Sequence, residues 1–192
     1  MSKTTHLDVG CGSMPRNPYQ SDDLYGVDII EQQAKDFQYK QCNVVLEPLP
    51  FENSNFDSIS AYDFLEHIPR FAIIDGKTVF PFIEFMNEVH RCLKDEGLFY
   101  AITPCYPRSE CFVDPTHINV ITNKTHKYFT IPKLRAEMYG FKGRFKVKKV
   151  KRVRFSSEVK KETGIIAMIK KLYYMLHYSK KGHVLWEFRA IK

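Results

Sequence analysis

Residues 6–12 read His6-Leu7-Asp8-Val9-Gly10-Cys11-Gly12, a short apolar run that closes on two glycines one residue apart. Such a run ending in a glycine turn is the pattern of a buried strand entering a tight loop. The stretch 24–28, Leu24-Tyr25-Gly26-Val27-Asp28, is a second short strand and ends on a carboxylate. Further strands are expected over residues 37–43, 56–61 and 97–103. Between the last two, residues 79–93 place Phe82, Phe85, Met86, Val89 and Leu93 at helical spacing. Strands separated by helical stretches imply a parallel sheet with right-handed crossovers. The expected fold is therefore an α/β, doubly wound, mostly parallel sheet.

Downstream the pattern changes. Residues 122–139 read as two helical pieces broken near Pro132. Residues 145–155 alternate Phe145, Val147, Val153 and Phe155 with Lys146, Lys148, Arg152 and Arg154, as a long strand does, and residues 184–191 form another. Between them, residues 165–178 carry apolar side chains at 165, 168, 169, 172, 175 and 176, with Lys170 and Lys171 opposite. That is an amphipathic helix inserted into a hairpin, within an insert spanning 160–182.

The 192 residues, 44% of them apolar, fit one domain with a packed core. Residues 1–141 form the expected cofactor and substrate core, and 142–192 the basic C-terminal strands. No apolar run reaches the roughly 18 residues needed to span a bilayer, and residues 1–10 carry no signal-peptide pattern, so a cytoplasmic location is expected. Cys11, Cys42, Cys92, Cys105 and Cys111 are odd in number and never spaced Cys-x-x-Cys, which speaks against a disulfide framework or a structural zinc site. The net charge of +7 is uneven: residues 142–192 hold 16 Lys/Arg against 3 Asp/Glu, while the rest of the chain is acidic. The basic end is either a solvated strand face or a surface for something anionic, such as phosphate, nucleic acid or a peripheral contact with the inner membrane surface.

A glycine turn after one strand and an acidic residue ending the next make a nucleotide-cofactor arrangement. Glycines let backbone approach the ligand, and the carboxylate accepts ribose hydroxyl protons. Pro15 and Pro18 leave room for only about a turn of helix after the glycines. A pyrophosphate held at a helix N-terminus is then poorly supported, and a cofactor without phosphate fits better.

Here the chain resembles the class I S-adenosylmethionine-dependent methyltransferases. The resemblance rests on Leu7-Asp8-Val9-Gly10-Cys11-Gly12, Tyr25-Gly26-Val27-Asp28, Leu49-Pro50-Phe51 leading to Asn55-Phe56-Asp57, Asp63-Phe64-Leu65-Glu66-His67-Ile68, Val89-His90-Arg91-Cys92-Leu93-Lys94 and Gly97-Leu98-Phe99-Tyr100-Ala101-Ile102-Thr103-Pro104, in the family's order over residues 5–104. Trp186-Glu187-Phe188-Arg189-Ala190 looks like the family's last strand. The resemblance implies a seven-stranded Rossmann-like sheet with an antiparallel C-terminal strand, and S-adenosyl-L-methionine as cofactor, leaving S-adenosyl-L-homocysteine. It implies that Gly10 and Gly12 line the methionine and ribose side, with Asp8 near the methionine amino group. Asp28 would take the ribose hydroxyls, Asn43 the adenine amino group through its amide oxygen, and Asp63 would approach the methionyl end. Ser13 replaces a third glycine, and no N-terminal helix precedes the first strand to cover the site. A lid would come from residues 69–79 or 104–121, since long connections are more often functional than decorative.

An amine or hydroxyl acceptor loses a proton on methylation, so a general base is expected. His67, after the fourth strand, and His117, in Asp114-Pro115-Thr116-His117, are the candidates, with Glu66 and Asp114 as orienting carboxylates. A structural histidine at the end of a short helix and a tight Asp-Pro turn stand as the alternative readings. No histidine pair has metal-ligand spacing along the sequence, so no metal is expected. Cys105 as a nucleophile is outweighed by a small residue filling a turn. The block 80–128 resembles methyltransferases of surface-polysaccharide and glycan pathways, which implies O-methylation of a sugar, glycan or other small-molecule hydroxyl. RNA methylation through the basic end and a non-catalytic cofactor-binding or scaffolding subunit are the competing readings. Both monomer and homodimer fit.

Overall fold

A computed structural model describes residues 3–33, 36–155, 168–169, 172–173 and 181–192. Seven strands form one sheet: β1 (Thr5–Val9), β2 (Asp23–Asp28), β3 (Gln38–Gln41), β4 (Phe56–Tyr62), β7 (Leu93–Pro104), β8 (Phe145–Val153) and β9 (His183–Ala190). A hairpin of β5 (Ala72–Ile74) and β6 (Lys77–Val79) stands apart. The sheet order is β3-β2-β1-β4-β7-β9-β8. All neighbours pair in parallel except β9, which runs antiparallel to both β7 and β8. This is the expected mostly parallel sheet with an antiparallel C-terminal strand.

The order reverses at β1, so the chain leaves β1 toward β2 and β3 on one side and toward β4 and β7 on the other. Ligands of open α/β sheets bind at such a switch point, beyond the carboxyl ends of the strands. The strands that meet there bury one apolar face, where Leu7, Val9, Val27, Ile59 and Ala61 are fully buried, and on the other face of β1 and β4 His6, Asp8, Ser58 and Ser60 are buried as well. Helix α1 (Pro81–Cys92) starts on a proline, whose missing N–H is no loss in the first turn. It buries Phe82, Ile83, Phe85, Met86, Val89 and Cys92 against the sheet. Each such large side chain removed from water contributes on the order of 1.5–3 kcal/mol. From the C-terminal part, Trp186 and Phe188 of β9 and Phe145 of β8 complete the same core.

Among the described residues α1 is the one α-helix described from end to end, with further helical residues at 155, 168–169 and 172–173, and the other crossovers of the parallel strands run as loops and short 3-10 turns. Pro15 and Pro18 lie in the β1–β2 connection, Pro48 and Pro50 in the β3–β4 connection. The two helical pieces expected over residues 122–139 are instead 3-10 turns at Thr125–Tyr128 and Glu137–Tyr139. The backbone there bonds elsewhere: Ile131 N–H donates to the Phe145 carbonyl at 2.8 Å, and Thr130 bridges Phe145. The hairpin β5–β6 was not anticipated. Its turn, Asp75-Gly76, has both residues at positive φ (50° and 73°), the geometry that an Asp-Gly pair favours between short strands. Most of the helix expected over 165–178 lies outside the described residues. No helix among the described residues is long and apolar enough to cross a membrane. All five cysteines are free and buried.

Candidate cofactor cleft and the histidine cluster beside it

The glycine turn lies at the carboxyl edge of β1, where the amides of Gly10 and Cys11 both donate to the Val27 carbonyl of β2 (2.9 and 3.1 Å). Gly10 has φ +69°, and a Cβ there would come within 2.4 Å of the Phe64 ring, so its bareness serves close packing as well as backbone conformation. Gly12 has φ +54° with open space where a side chain would stand. Its N–H donates to Asp28 Oδ2 at 2.9 Å, and the Ile30 N–H donates to Asp28 Oδ1 at 3.0 Å. Turn and carboxylate are thus tied side by side. Each carboxylate oxygen has acceptor capacity for a second hydrogen bond.

Between them opens a cleft of about 140 Å³, lined by Gly10, Asp28, Ile29, Asn43, Phe64 and His67, with Val44 and Val45 on its apolar side. Ile29 is more than half exposed in the cleft wall. An exposed aliphatic next to a carboxylate, facing Val44 and Val45, makes an apolar slot of the kind that takes a flat ring. Asn43 borders the cleft, but its Oδ1 accepts the Val45 N–H at 3.1 Å, so the amide oxygen expected to face an adenine amino group already closes its own turn.

Three anticipated residues do not line the cleft: Gly12, tied to Asp28 by its N–H, and Asp8 and Asp63, which sit elsewhere. Asp8 is fully buried and absent from the cleft wall. It accepts from Ser60 Oγ (2.6 Å) and from the Arg16 N–H (2.8 Å), pinning the loop after the glycines. Burial pushes its carboxyl up to about 6. Because the Ser60 hydroxyl proton points to Asp8, Ser60 Oγ accepts from His6 Nε2 (2.9 Å), and His6 Nδ1 accepts from Ser58 Oγ (2.7 Å). Burial drives His6 down to about 4, so it is neutral. Asp63, at φ +45° just past β4, faces not the cleft but His183 of β9, 3.2 Å from Oδ1 to Nε2.

The histidine candidates come together. His67 ends a 3-10 turn, Leu65–His67, and lines the cleft. The ring of His117 lies 4.8 Å from that of His67, edge on, and outside the cleft wall. The loop carrying Asp114, Thr116 and His117 is sewn to this turn: the N–H groups of Ile118 and Asn119 donate to the Glu66 carbonyl, and Asn119 Nδ2 donates to the Leu65 carbonyl at 3.0 Å. Thr116 Oγ gives its proton to Asp114 Oδ1 (2.6 Å), so at His67 Nδ1, 3.0 Å away, it is the acceptor. His67 therefore carries its proton on Nδ1 and keeps Nε2 as a base. Desolvation, with His117 next to it, lowers its pKa, so the ring is neutral near pH 7. Asp114 acts on His67 through Thr116, whereas its Oδ2 is 4.0 Å from His117 Nε2. His117 Nδ1 donates to the Glu110 carbonyl (3.1 Å), and its Nε2 lies 3.9 Å from Oε1 of buried Glu66. The other oxygen, Glu66 Oε2, accepts from Thr103 Oγ1 at 2.9 Å. Burial raises the Glu66 carboxyl to about 8, with Asp63 and Asp114 adding repulsion. Cys105 is fully buried and its thiol pushed up by desolvation, which removes it as a nucleophile.

A family model described as a methyltransferase domain matches residues 7–101, from β1 through most of β7. The chain belongs to the class I S-adenosylmethionine-dependent methyltransferases. No curated protein matches it in sequence. Among solved structures, an S-adenosylmethionine-dependent methyltransferase from Mesorhizobium loti is 13% identical with a TM-score of 0.58, covering 97% of this chain and 91% of that one. Another from Archaeoglobus fulgidus is 12% identical at a TM-score of 0.56, covering 97% and 86%. A geranyl diphosphate C-methyltransferase from Streptomyces coelicolor, solved with S-adenosyl-L-homocysteine, is 14% identical at 0.55, covering 98% and 71%. At these identities the likeness is one of fold. The methyltransferase domain makes S-adenosylmethionine the cofactor.

In this methyltransferase a second hollow, of about 460 Å³, is bordered by the same chain segment as the cleft: Phe64, His67 and Ile68 line the first, Arg70 and Phe71 the second. Aromatic rings of Phe80, Tyr128 and Tyr139 and the cations Lys124 and Arg135 complete its wall. The residues missed in the sequence were Ile29, Val44, Val45, Phe64 and Thr116. An apolar residue directly after a strand-ending carboxylate was a usable signal for Ile29. Nothing local marks Thr116 as the link between Asp114 and His67.

Proposed function

We propose that the methyltransferase transfers the methyl group of S-adenosylmethionine to a hydroxyl of a sugar, glycan or other small molecule, with His67 as general base. The observation that carries this is the Asp114–Thr116–His67 chain, which fixes the imidazole tautomer at a ring in the wall of the Gly10–Asp28 cleft. Asp28 accepts the ribose hydroxyls, Gly10 and Gly12 admit the ribose and methionine, and Ile29 with Val44 and Val45 sandwich the adenine. Asn43 borders the adenine, and Asp8 positions the loop from below. The methyl leaves sulfur in line as an acceptor oxygen arrives; alignment supplies much of the rate, and the base takes the hydroxyl proton as the new bond forms. The aromatic and cationic hollow beyond Arg70 suits a sugar ring stacked on its aromatic faces and bearing a negative charge.

The RNA reading rests on the basic C-terminal end. Several of those cations serve the fold: Lys148 pairs with Glu187 (2.9 Å), Arg189 with Glu96 (2.8 Å), and Arg152 bonds the Tyr106 carbonyl. Transfer of labelled methyl to fractionated small molecules, glycans and RNA tests both. We expect turnover on a small-molecule or glycan fraction, little changed between 50 and 200 mM salt, and a loss of about 10²–10⁴-fold in His67→Ala with S-adenosylhomocysteine affinity retained. Labelling confined to RNA and falling steeply with salt gives the RNA reading instead. Cofactor binding with no transfer to any fraction gives the scaffolding one.

A further inference from the structure

We propose that Glu66, His67 and His117 form a binding site for one divalent first-row transition-metal ion, of the zinc or cobalt class, beside the cofactor cleft. One donor atom from each of the three lies within 4.8 Å of the others. Glu66 has a relative exposure of 1%, and its Oε1 is buried without a hydrogen-bond partner. A buried, unsatisfied carboxylate oxygen in a native fold calls for an explanation, and an ion is a standard one. What faces that oxygen is an imidazole nitrogen of His117. His117 commits its Nδ1 proton to the Glu110 carbonyl, and its Nε2 lies 3.9 Å from Oε1, with Asp114 Oδ2 4.0 Å from the same nitrogen.

An ion would take up the unpartnered Glu66 oxygen and a nitrogen of each imidazole at once, displacing any proton from the carboxyl. Two metal–ligand bonds of about 2.1 Å at a tetrahedral angle span about 3.4 Å, so the Glu66–His117 pair, 3.9 Å apart, would close by roughly half an ångström, and the full set, spread over as much as 4.8 Å, by up to about 1.4 Å. Two imidazoles and one carboxylate are a donor set for zinc, cobalt or iron rather than magnesium or calcium, and leave open positions for water or substrate. The surroundings match those of metal-binding histidines. His117 gives its second nitrogen to a backbone carbonyl, and Glu66 is held through Thr103. Sequence spacing concealed the set because His117 arrives on a distant loop. An ion here would occupy the Nε2 lone pair of His67 in the cleft wall, so in the metal-loaded protein the ion, by coordinating the acceptor oxygen and favouring its deprotonated form, would stand in for His67 as the base. That role rests on the methyl-transfer reading above; the binding itself does not.

The test uses the full chain, stripped with chelator and dialysed. Zinc binding is followed by equilibrium dialysis and metal analysis, and cobalt binding by visible absorption. S-adenosylhomocysteine binding is measured on the same samples. We expect one equivalent of zinc in the wild type, at least tenfold weaker binding in Glu66→Gln and in His117→Gln, no competition from millimolar magnesium, and a cobalt spectrum without thiolate charge transfer. Zinc affinity unchanged in both variants, a thiolate spectrum, or no stoichiometric binding overturns the site. His67→Gln, next to solvent, provides a third variant whose folding is followed by circular dichroism. Intact cofactor binding without zinc removes the metal site alone, while absent cofactor binding removes the methyl-transfer reading.

Discussion

At Asp28 one carboxylate does two jobs, since both of its oxygens hold backbone amides of the loops that frame the cleft while facing the space a ribose would fill. Asp28→Ala removes acceptors from both the loops and the ligand, and we expect calorimetry to show S-adenosylhomocysteine binding weakened by about 1–3 kcal/mol. Unchanged affinity would contradict the placement of the ribose. The two glycines before it separate by consequence. Alanine at Gly10 meets the Phe64 ring as well as an unfavourable positive φ, and urea unfolding should show a loss of more than about 2 kcal/mol. Alanine at Gly12 meets only the backbone penalty, about 1 kcal/mol. The turn and the carboxylate were legible in sequence because each is a local pattern. Phe64 was not, because the reason Gly10 is bare arrives from another strand end.

Among the elements, the strands were legible from alternation closed by turn residues, as where Ile59 and Ala61 alternate with Ser58 and Ser60 in β4, and α1 because its buried face recurs at helical spacing. Residues 122–139 were not. Their apolar residues follow a helical rhythm, yet Pro132 and the bond from Ile131 to Phe145 hold the backbone to β8 instead. The loop 104–121 acquires its shape in the same non-local way, from a turn it does not neighbour in sequence. Asn119 is the stitch: its Nδ2 donates to the Leu65 carbonyl and its Oδ1 accepts from Arg70 Nε at 2.8 Å. Asn119→Ala removes two bonds, leaving the Leu65 carbonyl with the Ile68 N–H alone and Arg70 Nε without this acceptor, and frees the loop that aims Thr116 at His67. We expect a stability loss of about 1–3 kcal/mol by denaturant unfolding, together with a fall in turnover that exceeds any change in cofactor affinity. Wild-type turnover in a destabilised Asn119→Ala would mean that the loop's anchorage does not serve the chemistry.

Across the whole molecule, three buried ionisable groups couple folding to pH, and their windows differ. His6 is held down at about 4 against an ordinary 6.5, so the stability of its neutral form is present above pH 6.5 and is lost as pH falls toward 4. Asp8, raised from 3.8 to about 6, acts oppositely: its burial becomes a penalty as pH rises through that range, and the two partly offset between pH 4 and 6. His67, His90 and His126, all lowered by desolvation, also act below about 6.5. Above that, Glu66 stands alone among these groups. Its carboxyl is protonated in the fold up to about 8 but ionised in the unfolded chain beyond 4.5, so the folded state holds one more proton and stability must fall as pH rises. The slope approaches about 1.4 kcal/mol per pH unit, or about 2 kcal/mol between pH 6.5 and 8, and flattens once Glu66 ionises in both states. Denaturant unfolding with chelator present, at half-unit steps over that range, reads it directly. In Glu66→Gln the neutral amide has no proton to lose, so the slope should vanish and the variant should overtake the wild type toward pH 8. A wild-type curve flat over the same range would show that Glu66 is already ionised in the fold, with a cation beside it that the buffer did not remove or with water reaching its unpaired oxygen.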